Sequence, residues 1–383
     1  MNKRHGYLFY VFFRIYIHLL VIMAKYDFLI IGAGFFGATC ARLLADNGFR
    51  CLIIEKEKTV GGLSASFNIN DIDIHKFGSH VIHTDDEEVW EYLNQFCNII
   101  DYKLNIKVQN ENEYYQLPLN MNLLNKIYGV NYPRDGVKKI EEDRKNYGVM
   151  YRRNLEEELI YNIGFKPYML AFKNYYEKMF NLDCKNLSTA YLRDIRVDLT
   201  YDINYYNNKY TGIPDIGYTK LVEKIIGDDI DIILDTDFMK NKDKFLSLGN
   251  IIISSMPIDR FCNYIYGPLD WGTFKYELKD FSNEERSNLL GTPIIRINDK
   301  ENIMLEMIEH KWLNQNKNTD AFNTHTYISY VFPDKWTPDK ECLFSINSED
   351  SENLLNKYIN FVNENYPNII FGGRQGLYRN ISI

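Results

Sequence analysis

Between Tyr26 and Glu55 the apolar positions form two unbroken runs with a helical pattern between them. YDFLII (26–31) has no alternation, which is what a strand covered on both faces requires. From Gly32 to Leu44 the apolar residues recur at three- and four-residue spacing, and CLII (51–54) is a second unbroken run that ends at Glu55. Strand, helix and strand within roughly 30 residues predict a βαβ unit with parallel strands. From about 88 to 187 the period changes to that of helices in IEEDRKNYG, NLEEELIYNIG and FKPYMLAFKNYYEKMF. Further on, THTYISYVF alternates with period two, which predicts antiparallel strands between 263 and 344.

The turn after the first strand reads Gly32-x-Gly34-x-x-Gly37. At such a turn the first glycine permits the tight bend, the second lets the backbone approach a pyrophosphate, and the third closes helix onto strand. The phosphates then sit at the helix N-terminus. Glu55, at the end of the second strand, is placed to accept from ribose hydroxyls, and its sign favours a ribose without phosphate. Gly61-Gly62 and Ser64 follow the acid, an extension that favours the ADP half of FAD over NAD.

Hydrophobic residues make up 45% of the 383-residue chain and aromatics 15%, enough to bury a sizeable core, so a disordered chain is excluded. A net charge of −8 argues against a nucleic-acid partner held through phosphates. The six cysteines are scattered without a CxxC pair, as expected of reduced thiols in a cytoplasmic protein and not of a disulfide frame or zinc site. The first 23 residues differ from the rest. Their apolar run over 7–23 suggests a membrane anchor, but it is short for a span and broken by Arg14 and His18. Met23 stands where a nucleotide-binding domain would begin, so residues 1–23 are expected to be an extension that is either dispensable or not translated.

HKFGSHVIHT (75–84) gathers three of seven histidines. Metal ligands must converge. In a continuous strand His75 and His83 would share a face and His80 would take the other, so no metal site is expected. Together with GAGFFGA and IEKEKTVGGLSA, this stretch resembles the UDP-galactopyranose mutase family of flavoenzymes. The likeness continues in order through QLPLNMNLLNKIYGV, NLEEELI, FKNYYEKMF, YDINYYNNKYTGIPDIGYTKLVEKI, IEHKW and FGGR, covering nearly everything from Tyr26 onward.

The resemblance implies an α/β fold, an FAD-binding Rossmann-like domain with a helical insertion and an antiparallel β-sheet domain. Its FAD-binding part would comprise 24–87, 210–262 and 345–383, the helical insertion 88–187, and the sheet 188–209 with 263–344. It implies FAD as cofactor and UDP-galactose as partner, the pyranose and furanose forms interconverting through an adduct at N5 of reduced FAD. The flavin is then the nucleophile, and no side chain is assigned a catalytic role. Phe36, Glu55, Lys56, Leu63, His80, Val81 and Arg374 would join Gly32, Gly34, Gly37 and Gly62 around the cofactor. Tyr175, Phe180 (a tryptophan in the family) and Tyr205 would contact the substrate.

Several positions depart from the family pattern. Asp194 and Glu306 stand where the family places two diphosphate-binding arginines, and Phe344 replaces a diphosphate tyrosine. Asn380 and Ser382 replace the Tyr and Asp that follow the FGGR segment. Two anions in place of two cations are expected to repel a diphosphate. Family members continue past RQGLYRNISI into a helix that caps the flavin, so a weaker hold on FAD is expected here. Three readings stay open: an active mutase with a rebuilt site, a family flavoenzyme for another, less anionic sugar substrate, and a degenerate non-catalytic homologue. Association with a second copy is also open.

Overall fold

The structure, a computed structural model, describes residues 25–189, 198–281, 288–314 and 319–381. The expected extension over 1–23 lies outside them. Among the described residues no helix is long and apolar enough to cross a membrane. In chain order the strands are β1 (Tyr26–Ile31), β2 (Cys51–Ile54), β3 (Ser66–Ile69), β4 (Ile72–His75), β5 (Ile82–Thr84) and β6 (Ile99–Asp101). They continue with β7 (Ile106–Asn110), β8 (Glu113–Leu117), β9 (Tyr210–Pro214), β10 (Asp231–Ile233), β11 (Gly249–Ser254) and β12 (Trp271–Asp280). The last are β13 (Ile294–Ile297), β14 (Glu306–Glu309), β15 (Tyr327–Asp334), β16 (Phe344–Ser345) and β17 (Ile369–Phe371).

The chain divides into two compact units, one formed by 25–62, 222–268 and 355–381, the other by 63–221 and 269–354. The first is built on a parallel sheet of order β10-β2-β1-β11-β17. Its two unbroken apolar runs are the central strands β1 and β2, where Leu29, Ile30, Ile53 and Ile54 are fully buried. Each such side chain contributes about 2 kcal/mol of transfer free energy. The helix Phe35–Asp46 buries Gly37, Ala38 and Ala41. Small residues on that face let the helix close onto the sheet.

The second unit holds a seven-stranded sheet of order β16-β12-β15-β14-β13-β7-β8, antiparallel except where β13 runs parallel to β7. The alternating THTYISYVF segment supplies β15, paired to β12 and β14. Helices cover Met121–Tyr128, Pro133–Tyr147, Leu155–Ile163, Phe165–Ala171 and Lys173–Phe180, where helical periodicity was expected. The segment from 88 to 187 is not helical throughout, however, because β6, β7 and β8 lie within it. The reason is local: Ile106 and Val108 alternate with polar residues, and Glu111 at φ 54° turns the chain into Glu113–Leu117. The described residues of 188–209 form no strand.

Candidate functional site

In the first unit, the two glycine motifs meet. Gly61 N–H donates to Ala33 O at 2.9 Å, and Gly34 and Gly61 form an isolated parallel bridge. Gly32 has φ +98°, a region closed to most side chains. A Cβ on Gly37 would lie 1.9 Å from Gly32 O, so helix and turn touch through backbone. A Cβ on Gly34 would meet only Gly62 Cα, at 3.8 Å. The fold therefore tolerates a side chain at Gly34, but a ligand approaching the backbone there would not. Gly34 also caps the helix Phe35–Asp46 without a side-chain hydrogen bond, and a helix N-terminus of this kind attracts an anion.

Glu55 is 5% exposed and fixed by two amides, Ala33 N at 2.7 Å and Glu57 N at 2.8 Å. Burial raises its pKa against those two hydrogen bonds and the nearby charge of Lys56. A carboxylate offers about four acceptor positions, so ribose hydroxyls can still be received. The backbone cradle and the acid together fit an adenine dinucleotide. Lys56 is exposed beside them. Phe36 lies under the FGGR segment, where a Cβ on Gly372 would be 1.9 Å from its Cζ. Arg374 donates from Nε and Nη2 to Ile381 O at 2.9 and 2.7 Å, tying that segment to the chain beyond it. Asn380 is half-buried in the same stretch, and Ser382 lies outside the described residues.

The second unit corrects the expected arrangement of the histidines. Gly78, at φ +95°, breaks the stretch, so His75 ends β4, His83 lies in β5, and His80 sits between them. His75 and His80 stack at 5.8 Å instead of taking opposite faces. Backbone-to-ring bonds link three histidines, with the rings of His75 and His310 as acceptors. His80 N donates to His75 Nδ1 at 3.0 Å, and His75 N donates to His310 Nδ1 at 3.3 Å. His310 Nε2 pairs with Ser329 Oγ at 2.7 Å. Both acceptor rings must be neutral, because protonating Nδ1 would remove the lone pair that receives the amide. Burial agrees: it pushes His310 down to about 3 and lowers His75, the latter also through His80 and His310. His83 stacks on Tyr206 at 3.9 Å and pairs with Asn208. Among the described residues no group of three or more His, Cys, Asp and Glu side chains is placed to hold a metal ion. Val81 is buried, and Leu63 packs against the same apolar cluster.

That cluster also contains Tyr175, Phe180, Tyr205 and Phe344. Phe180 meets Phe344 edge-on at 5.4 Å, and Phe344 packs on Phe274 at 5.2 Å. Glu306 opens β14 beside Tyr175, whose hydroxyl donates to Oε2 at 3.4 Å. Asp194 lies outside the described residues. Glu306 was expected as one of two anions standing where the family has cations, and in the structure a cation faces it. Arg296, its register partner on β13, places Nε 3.7 Å from Glu306 Oε2. The guanidinium donates from Nη1 to Tyr205 Oη at 3.2 Å and lies 5.1 Å from the Tyr175 ring centroid. Sequence reasoning missed Arg296. The signal was a single charge in PIIRIN, between isoleucines that turn out buried.

The hairpin carrying this pair is fixed from one side. Lys178 Nζ donates to the carbonyls of Ile297, Asp299, Asn302 and Met304 at 2.7–3.0 Å. Asn298, fully buried, accepts from Tyr175 N at 3.0 Å and donates to Met169 O at 2.8 Å. The helix bearing Tyr175 and the strand bearing Arg296 are thereby held in one register. In IEHKW, Glu309 receives Leu289 N, Leu290 N, Thr326 Oγ1 and Trp312 Nε1 at 2.8–3.1 Å. That motif locks β14 in place.

A family model described as UDP-galactopyranose mutase matches residues 170–380, more than half of the chain, and one described as NAD(P)-binding Rossmann-like domain matches 30–96. A protein from Klebsiella pneumoniae described as a probable UDP-galactopyranose mutase is 27% identical over 360 residues, covering 93% of this chain and 91% of its own. The dTDP-fucopyranose mutase of Escherichia coli is also 27% identical over 360 residues, with 92% and 93% covered. A crystal structure of reduced UDP-galactopyranose mutase shares the fold with a TM-score of 0.66 at 14% identity, over 92% of this chain and 91% of that one. A Rossmann-type unit with a glycine cradle and a buried acid after β2, in one chain with this sheet-and-helix unit, makes the chain a mutase-like flavoprotein that uses FAD. It belongs to the UDP-galactopyranose mutase family.

Proposed function

We propose that the chain is a reduced-FAD-dependent mutase that interconverts UDP-galactopyranose and UDP-galactofuranose. The observation that carries this reading is the convergence of Tyr175, Phe180, Tyr205 and Phe344 at one place in the second unit, with a charged pair among them. Gly32, Gly34, Gly37, Gly62 and Glu55 would hold the dinucleotide, with Phe36, Lys56 and Arg374 beside them and Leu63, His80 and Val81 toward the flavin. Bound and reduced, FAD would supply the nucleophile that displaces the diphosphate from the anomeric carbon. The tyrosine hydroxyls would orient the sugar nucleotide, and Phe180 and Phe344 would keep water from the reacting centre. Six free thiols support a reducing compartment, the cytoplasm.

The test is chromatography of nucleotide sugars after incubating UDP-galactose with the dithionite-reduced, FAD-loaded full chain. The furanose form is expected, and its absence from protein that is yellow and fully loaded would overturn the reading. The Escherichia coli relative, equally identical but named for a dTDP-sugar, supports a second reading in which another nucleotide sugar is the substrate. dTDP-fucopyranose in the same assay distinguishes the two.

A further inference from the structure

We propose that Arg296 is the specificity-determining cation of this site, its guanidinium binding an oxyanion of the nucleotide-sugar substrate while Glu306 holds it in place from the facing strand. The proposal rests on the nucleotide-sugar reading above and commits it to one residue.

The first argument is the unsatisfied state of the guanidinium. Arg296 is the charged member of β13, its side chain 19% exposed, with Ile294, Ile295 and Ile297 buried around it. A guanidinium has five N–H donors. Among the described residues Arg296 makes one hydrogen bond, to Tyr205, and its buried Nε has no hydrogen-bond partner. A buried arginine kept for structure would make a bidentate pair with its carboxylate, two parallel bonds at about 2.8 Å. Here the approach is 3.7 Å, an ion pair without a hydrogen bond.

The second argument is the surroundings. Tyr175 and Tyr205 flank the guanidinium, with ring centroids at 5.1 and 5.2 Å, so they fix its position. Aromatic faces position the cation, and they also lower the local dielectric, in which an oxyanion binds more strongly. The third is the anchoring. Asn298 and Lys178 clamp the loop between β13 and β14 to the helix that carries Tyr175. A side chain this firmly placed and this poorly satisfied suits a ligand.

Glu306 tunes the cation. Its carboxylate offsets the charge of Arg296 when no substrate is present, and it competes with any incoming oxyanion. The two roles of the pair have opposite signs in an experiment, which makes the proposal testable. Calorimetric titration of the full chain with UDP, and with uridine as the uncharged control, reads binding without requiring turnover. Glu306→Gln should tighten UDP binding by about tenfold, because one competing anion is removed a few ångströms from the phosphates. Glu306→Gln with Arg296→Met should lose that gain and bind UDP about tenfold more weakly than wild type, with uridine unaffected in both. The double variant leaves no unpaired carboxylate, so its folding is protected.

Flavin content and the far-ultraviolet spectrum are recorded for each variant. If Arg296 only packs against Glu306, the double variant will bind both UDP and UDP-galacturonate as wild type does and Glu306→Gln will tighten neither, and the proposal fails. If UDP affinity is unmoved while UDP-galacturonate binding falls with Arg296→Met, the oxyanion is a sugar carboxylate, the same chemistry from another source. Failure of the mutase reading looks different. Arg296-dependent UDP binding would then persist in a protein that forms no furanose product.

Discussion

Lowering the pH should destabilise the second unit through His310, and the size of the effect can be worked from its position. His310 is fully buried, its Nδ1 accepts an amide from β4, and its Nε2 pairs with Ser329. The folded state holds the ring neutral, pushing it from 6.5 down to about 3, with burial the cause. Between those values the unfolded chain binds more protons than the folded one, so the stabilisation is complete above about pH 6.5 and is lost as the pH falls toward 3. At about pH 5.5 the loss is about 1 kcal/mol, and at about pH 4.5 it is about 3 kcal/mol. His75 acts in the same direction, since its ring is also lowered by burial. Glu306 acts in the opposite direction, because burial raises its carboxyl. The comparison must therefore be between wild type and a variant that cannot titrate at 310. All four tryptophans (Trp90, Trp271, Trp312 and Trp336) lie in the second unit, so fluorescence excited selectively at tryptophan in guanidinium melts reports that unit. His310→Phe should be less stable at neutral pH by the lost hydrogen bonds, and its stability should fall less from about pH 7.5 to about pH 5.5, by about 1 kcal/mol. A variant that keeps the full wild-type slope would refute the argument.

Other expectations follow from single contacts. Gly34→Ala should leave the melting midpoint within about 0.5 kcal/mol of wild type, because its Cβ finds an ordinary contact, yet flavin absorbance of the purified protein should fall sharply. Gly37→Ala should instead cost about 2 kcal/mol or more in a denaturant melt, its Cβ meeting Gly32 O at 1.9 Å. Lys178→Met should loosen the β13–β14 loop by about 2 kcal/mol, read as faster amide exchange over residues 298–305. Glu309→Gln turns an amide NH2 toward two of its four donors and should cost about 3 kcal/mol in the fluorescence melt.

The cofactor end was legible because its chemistry is local in sequence. Gly32, Gly34, Gly37 and Glu55 fall within one strand–helix–strand passage, and the geometry that brings Ala33 N to Glu55 is a property of that passage alone. The β7–β8 hairpin was less visible. Its five-residue strands are surrounded by helical periodicity, and alternation this short is easily absorbed into a longer pattern. The histidine stretch was legible as a cluster but not as a relay. Its third ring, His310, comes from a segment 235 positions after His75, and no spacing rule connects them.

The charge argument shows most clearly what sequence could not supply. Comparing Glu306 with an arginine at one position counts a reversal of sign and predicts repulsion of a diphosphate. The fold sets a cation against that carboxylate on the adjacent strand, ten positions earlier, through the antiparallel register Arg296↔Glu306. An ion pair at 3.7 Å has no net charge, and its field falls off faster with distance than that of a single carboxylate. What a ligand meets is then decided by which member of the pair it approaches. The sign at Glu306 is a property of the ladder between two strands, and reading either strand alone does not show it.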